Sequence, residues 1–266
     1  MTAPNMDTHG LPALTTLFVW WFSTGAILYL DGLPRKTFGW SLAGASAVLA
    51  ACLYGLHATR DLTSLTGSYV AFLCTIGVWG WQEVAFLLGF VTGPRREPLP
   101  AGSRGWRRAG FALETILHHE IAIIALAIAI LSVTWGGANP VGPWTFAVLW
   151  AMRQSAKLNL FLGVRNLSED FLPEHLRYLA TYFSRRSLNP LLPVSLALSL
   201  GVAVLVWQAS VAPGVGTDRA AGLSFVGTLL ALAMLEHVFM LVPFPTTRIW
   251  GWSLRSRERP VASPAA

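Results

Sequence analysis

The chain of 266 residues is 54% hydrophobic and only 12% charged, with a formal net charge of +6 and a mean hydropathy of +0.53. A soluble domain carries about 25% charged residues, so a water-soluble globular domain is excluded. The basic residues fall between apolar runs, a membrane-topology pattern that gives no reason to expect a nucleic-acid partner. Cys52 and Cys74 both lie inside apolar runs, so neither a disulfide framework nor a cysteine metal motif is indicated.

In chain order, apolar stretches occupy residues 12–30, 40–56, 68–91, 111–135, 143–164, 191–211 and 223–243. Each is long enough to cross a hydrocarbon core of about 30 Å. The expected fold is therefore all-α: a polytopic integral membrane protein with seven transmembrane helices in one domain over residues 12–243. Residues 1–11 are expected to form a periplasmic tail, and 244–266 a basic cytoplasmic tail, disordered toward its end. The first stretch is expected to remain as a helix, because no Lys or Arg precedes Arg35 and a cleaved signal needs a basic leader.

Basic residues alternate along the connections. Arg35 and Lys36 follow the first stretch; Arg95, Arg96, Arg104, Arg107 and Arg108 follow the third. Arg165, Arg177, Arg185 and Arg186 follow the fifth, and Arg248, Arg255, Arg257 and Arg259 the seventh, whereas the intervening connections hold only Arg60 and Arg219. Positive charge favours the cytoplasmic side, which puts the amino terminus outside and the carboxyl terminus inside. The setting is then a bacterial inner membrane, cytoplasmic or intracytoplasmic, with membrane lipids as partners. Trp40, Trp106, Trp135, Trp144, Trp250 and Trp252 fall at expected helix ends, as an aromatic belt does. Trp20, Trp21, Trp79, Trp81 and Trp150 lie inside spans, either as packing or as a wall for a flat aromatic or isoprenoid ligand. Gly44, Ser46, Ser195, Ser199 and Gly201 offer close helix contacts.

Two connecting segments carry further signals. Leu172, Leu176, Leu179 and Phe183 recur at helical spacing after Pro173, which predicts a short cytoplasmic amphipathic helix on the membrane surface. Thr92 to Arg108, with Pro94, Pro98 and Pro100, is expected to be extended, its arginines setting topology or meeting anionic headgroups or a partner's acidic face.

Ionisable side chains inside spans are costly and mark function by default. Glu83, His118, His119, Glu120, Lys157, Glu236 and His237 share one depth near the arginine-rich end. Helical spacing adds Glu114 on the face of His118, and Arg153 on the face of Lys157. Four glutamates against two cations leave an excess of two negative charges that a dry layer must neutralise. A structural network satisfies this. So does a cofactor site, with His118, His119 or His237 as axial ligand to a chlorin magnesium or haem iron and Arg153 or Lys157 on a polar ring substituent. A divalent metal held by Glu83, Glu114, His118, Glu120, Glu236 and His237 is the third reading, weakened because the HxxxH and HxxHH patterns of membrane di-iron oxygenases do not occur.

The stretches WFSTGAILYLDGLPRKTF at 21–38, SLAGASAVLAACLYGLHATRD at 41–61, WGWQEVAFLLGFVTGPRREP at 79–98, ETILHHE at 114–120, KLNLFLGVRNLSEDFLPEHLRYLATYF at 157–183 and LEHVFMLVPFP at 235–245 resemble the PuhE-type photosynthetic complex assembly proteins. These are seven-span proteins of purple phototrophic bacteria, encoded near the reaction-centre H subunit. The resemblance implies a photosynthetic membrane, reaction-centre or light-harvesting subunits as partners, and a hand in bacteriochlorophyll supply, with bacteriochlorophyll or a precursor as the cofactor. It implies no catalytic residue. An integral-membrane metal-dependent enzyme acting on a tetrapyrrole or isoprenoid is the alternative, and a transporter the third; the chain shows no internal repeat to favour the latter.

Overall fold

The computed structural model describes residues 4–242 and 244–257. Pro243, at the end of the seventh apolar stretch, and 258–266, the end of the basic tail with Arg259, lie outside the described residues. Among those described there is no strand. The long helices are α1 (Leu11–Asp31), α2 (Phe38–Ala58), α3 (Leu65–Leu87), α4 (Gly105–Val133), α5 (Val141–Leu162), α6 (Leu191–Ser210) and α7 (Thr217–Leu241), followed by the single turn α8 (Gly251–Leu254). Six of them, all but α5, are long and apolar enough to cross a membrane, which makes this a multi-pass membrane protein. α5 is as long as its neighbours but carries Arg153, Gln154, Lys157 and Asn159 in its second half.

Short polar side chains set the starts of α3, α5 and α6. Ser64 accepts a hydrogen bond from the Gly67 amide at the head of α3. The buried asparagines of two Asn-Pro pairs do more. Asn139 accepts from the Val141 amide and donates to the carbonyls of Thr59 and Gly67. Asn189 accepts from the amides of Leu191 and Leu192 and donates to the carbonyls of Asn159 and Gly163. Each asparagine therefore caps a helix and ties it to earlier elements, satisfying backbone groups that an apolar surround would leave unpaired.

α3 and α7 form the centre. α3 packs against α1, α2, α4, α5 and α7, while α2 and α6 flank the bundle. The core joins Phe72, Val78, Ile123, Ile130, Phe146 and Phe225, with Phe72 and Phe225 stacked at 4.4 Å. Outward faces such as Ile121, Ile124, Ile128 and Leu131 of α4, and Leu198 and Leu205 of α6, are exposed and apolar, the surface that lipid demands. Of the small residues expected at close helix contacts, Ser46, Ser195 and Ser199 meet side chains of neighbouring helices, while the two glycines do not. A Cβ on Gly44 or Gly201 would meet nothing within 4 Å, whereas one on Gly222 would reach Val141 at 2.6 Å.

The arginine-bearing segments meet at one end. Arg95 donates to the Tyr182 hydroxyl, Arg108 to the carbonyls of Phe161 and Tyr182, and Arg257 to the Asp31 carboxylate and the carbonyls of Asp170 and Phe171. At the other end the Asn139 amide donates to the Arg60 carbonyl, and Ser68 to that of Asp218. α5 thus runs between the same two ends as the apolar helices around it.

One local expectation needs correction, and both tails carry local structure. The segment after Pro173 is a 3-10 helix, Glu174–Tyr182. Its Leu176 and Leu179 are buried against Phe86, so its apolar face covers the protein instead of lying on the membrane surface. The chain after α7 folds back on α1: Trp250 is buried, its indole donates to the Trp21 carbonyl, and a Cβ on Gly25 would lie 2.2 Å from the Trp252 ring. At the other terminus, Met6–Gly10 form a π-helical turn capped by the Asn5 side chain.

Candidate functional site

A cavity of about 720 Å³ opens inside the bundle toward the arginine-rich end, between α1, α3, α4, α5 and α7 and roofed by the 3-10 helix. Its walls are mainly apolar, with Trp20, Trp79, Phe86 and Phe171 among them. Leu113 of α4 and Leu158 of α5 also line it and are about half exposed.

The polar residues form pairs around this space. Arg153 donates to Glu83 Oε2 at 3.0 Å, and Gln82 to Glu83 Oε1 at 3.1 Å. Lys157 meets Glu120 Oε1 at 2.5 Å, while Gln154 donates to Glu120 Oε2 at 2.6 Å. The Trp20 indole donates to Glu236 Oε1 at 2.7 Å. Glu83, Glu120, Arg153, Lys157 and Glu236 all border the cavity, so five of the expected residues share one site. Glu236 has accessible surface as well as lining the cavity, and its second oxygen has no hydrogen-bond partner among the described residues.

The remaining expected residues do not join it. Glu114 is half exposed, with Arg95 at 4.0 Å, and His118 is exposed on the neighbouring turn of α4. His237 is buried, but a carbonyl only accepts, so its Nδ1–H must donate to Ala233, and Nε2 then accepts from the Ser155 hydroxyl at 2.9 Å. Both ring nitrogens are engaged. His119 is fully buried, its ring 4.4 Å from that of Phe86 and both nitrogens unpartnered, yet it does not line the cavity. None of the three histidines considered as axial ligands therefore reaches the space a pigment would fill. Among the described residues no three of His, Cys, Asp and Glu stand together as a metal site, so the six-residue metal set does not assemble.

With Glu114 outside, the layer holds three carboxylates against two cations. The formal excess is one negative charge, and Glu236 is the carboxylate of the layer with no ion pair among the described residues. The tryptophans also divide: Trp20 and Trp79 face the cavity, Trp81 bonds Ser46 of α2, and Trp21 joins the cluster around Trp252.

A family model described as protein of unknown function (DUF3623) matches residues 6–261. A Rhodobacter capsulatus protein, described as an uncharacterized 30.4 kDa protein in the puhA 5' region, is 40% identical over 264 residues, covering 98% of this chain and 96% of that protein. No solved structure matches.

Proposed function

The chain belongs to the DUF3623 family, and we propose that it is an assembly factor for the bacterial photosynthetic reaction centre and light-harvesting complex, holding bacteriochlorophyll or a precursor in its central cavity. The cavity carries this reading. At about 720 Å³ it falls within the roughly 300–1,000 Å³ of small-molecule sites, and it has their character: apolar and aromatic walls with few polar groups. The likeness to PuhE-type assembly proteins and the position of the R. capsulatus relative in the puhA 5' region support the photosynthetic setting.

A chlorin supplies a flat apolar ring, polar edge substituents and a magnesium ion short of one ligand. Trp20 and Trp79 suit the ring. Arg153 and Lys157, held in place by Glu83 and Glu120, suit the edge. Glu236, hydrogen-bonded on one oxygen only and without an ion pair among the described residues, is the group that fits the magnesium. In this reading all seven long helices cross the bacterial inner membrane, amino terminus outside and arginine-rich end in the cytoplasm, where reaction-centre or light-harvesting subunits dock.

Gly80 supplies a clean test. It lines the cavity, and a Cβ there would meet nothing within 4 Å, so Gly80→Phe introduces a ring at the cavity wall from an uncrowded backbone position. A phototrophic host carrying only Gly80→Phe should hold normal amounts of this protein but less assembled complex, read from the near-infrared absorbance of its membranes. Undiminished assembly in a strain lacking the protein would contradict the proposal.

A further inference from the structure

A second, smaller cavity of about 200 Å³ lies at the arginine-rich end, lined by Arg35, Gly89, Thr92, Arg96, His175 and Tyr178 among others, and shares no lining residue with the central one. We propose that it is a phosphate site, taking a phosphate mono- or diester through Arg35, Arg96, Thr92 and Tyr178. This assignment is independent of the pigment reading.

Donors are in excess, and no anionic acceptor faces them. Neither Arg35 nor Arg96 has an acidic partner among the described residues, and no carboxylate lines the cavity. Arg96 is fixed at its rim by donating to the Gly89 carbonyl at 3.2 Å. Thr92 is fully buried, and its Oγ1 has no hydrogen-bond partner; nor has the buried Tyr178 hydroxyl. The two hydroxyls are near one another without closing a bond of good geometry, and a buried hydroxyl left unmet is costly. An anion with several acceptor oxygens satisfies both and neutralises both guanidiniums. A carboxylate, with two oxygens, has fewer acceptors for the same four groups.

His175 belongs to the same design. Its Nε2–H donates to the Leu87 carbonyl at 2.9 Å. Burial first, then the charges of Arg35, Arg257 and Arg96, hold its pKa below the ordinary value, so the ring stays neutral and braces the pocket floor. Gly89, at φ +82°, leaves room for that ring: a Cβ there would lie 3.1 Å from it. The cavity is below the size of a site for a whole cofactor and admits a headgroup. The phosphate can come from an anionic phospholipid or from a soluble phosphate compound.

The full-length protein in neutral detergent, titrated with inorganic phosphate by calorimetry, tests the soluble source. The same protein in nanodiscs of phosphatidylcholine with and without phosphatidylglycerol, followed by native mass spectrometry of retained lipid, tests the other. Binding in either arm is expected, weakened about tenfold or more by Arg35→Gln with Arg96→Gln, since each hydrogen bond to a charged group is worth about 1.5–3 kcal/mol. Thr92→Val, nearly isosteric, and Tyr178→Phe should weaken binding severalfold without lowering the melting temperature of the phosphate-free protein, because each removes an unmet hydroxyl. Saturation by phosphate alone assigns a soluble ligand; selective retention of phosphatidylglycerol assigns a lipid. No binding in either arm, or binding that Thr92→Val and Tyr178→Phe leave unchanged, overturns the site.

Discussion

Lys157 and Glu120 show how few charges this interior tolerates. Their side chains are 18% and 17% exposed, so removing one leaves its partner charged in a poorly solvated place. For fully buried pairs that costs about 3–5 kcal/mol; cavity solvent at this pair reduces the expectation to about 2–3 kcal/mol. Lys157→Met should therefore lower the detergent-solubilised protein's melting temperature sharply, and adding Glu120→Gln should restore much of the loss. Thermal unfolding of the two single variants and the double variant reads the coupling directly, and additive losses would contradict a paired role. At this scale the sequence identified the costly residues but not their partners. Spacing on one helix put Glu114 beside His118, yet which face of α4 meets the bundle depends on α3 and α5, and that face carries His119 and Glu120 instead. The two structural asparagines had a readable signal, an Asn-Pro pair before an apolar run, but their second bonds, to carbonyls of distant elements, had none.

Among the elements, α5 is where composition and placement disagree. It falls short of the apolar character of its neighbours, yet it runs from the Arg60–Asn139 contact at one end to Gly163 and Arg186 at the other. Its polar residues face Glu83, Glu120, Ser195 and the cavity, so pairing within the bundle removes the cost that a lipid-facing charge would carry. If α5 crosses the membrane, Ala138→Cys and Ser187→Cys, both at exposed positions, must react with an impermeant thiol reagent from opposite sides of sealed vesicles. Labelling of both from one side would remove α5 from the spans. The 3-10 helix Glu174–Tyr182 teaches the converse lesson. Its apolar spacing was legible, but the surface it covers is the protein's own roof over the cavity, and periodicity does not say what lies opposite an apolar face.

For the molecule as a whole, mean apolarity and the alternation of arginines were enough to anticipate a helical membrane bundle with its basic segments gathered at one end. The central cavity was not legible, because an unfilled space comes from side chains on α1, α3, α4, α5 and α7 that are far apart in sequence. Its contents are the central claim. Protein purified from a phototrophic host should carry a chlorin-type absorption band, retained in His118→Phe, whose side chain faces outward, weakened in Glu236→Gln, and lost in Gly80→Phe at unchanged melting temperature. A band that survives Gly80→Phe in full, or colourless wild-type protein from pigment-replete cells, would contradict it.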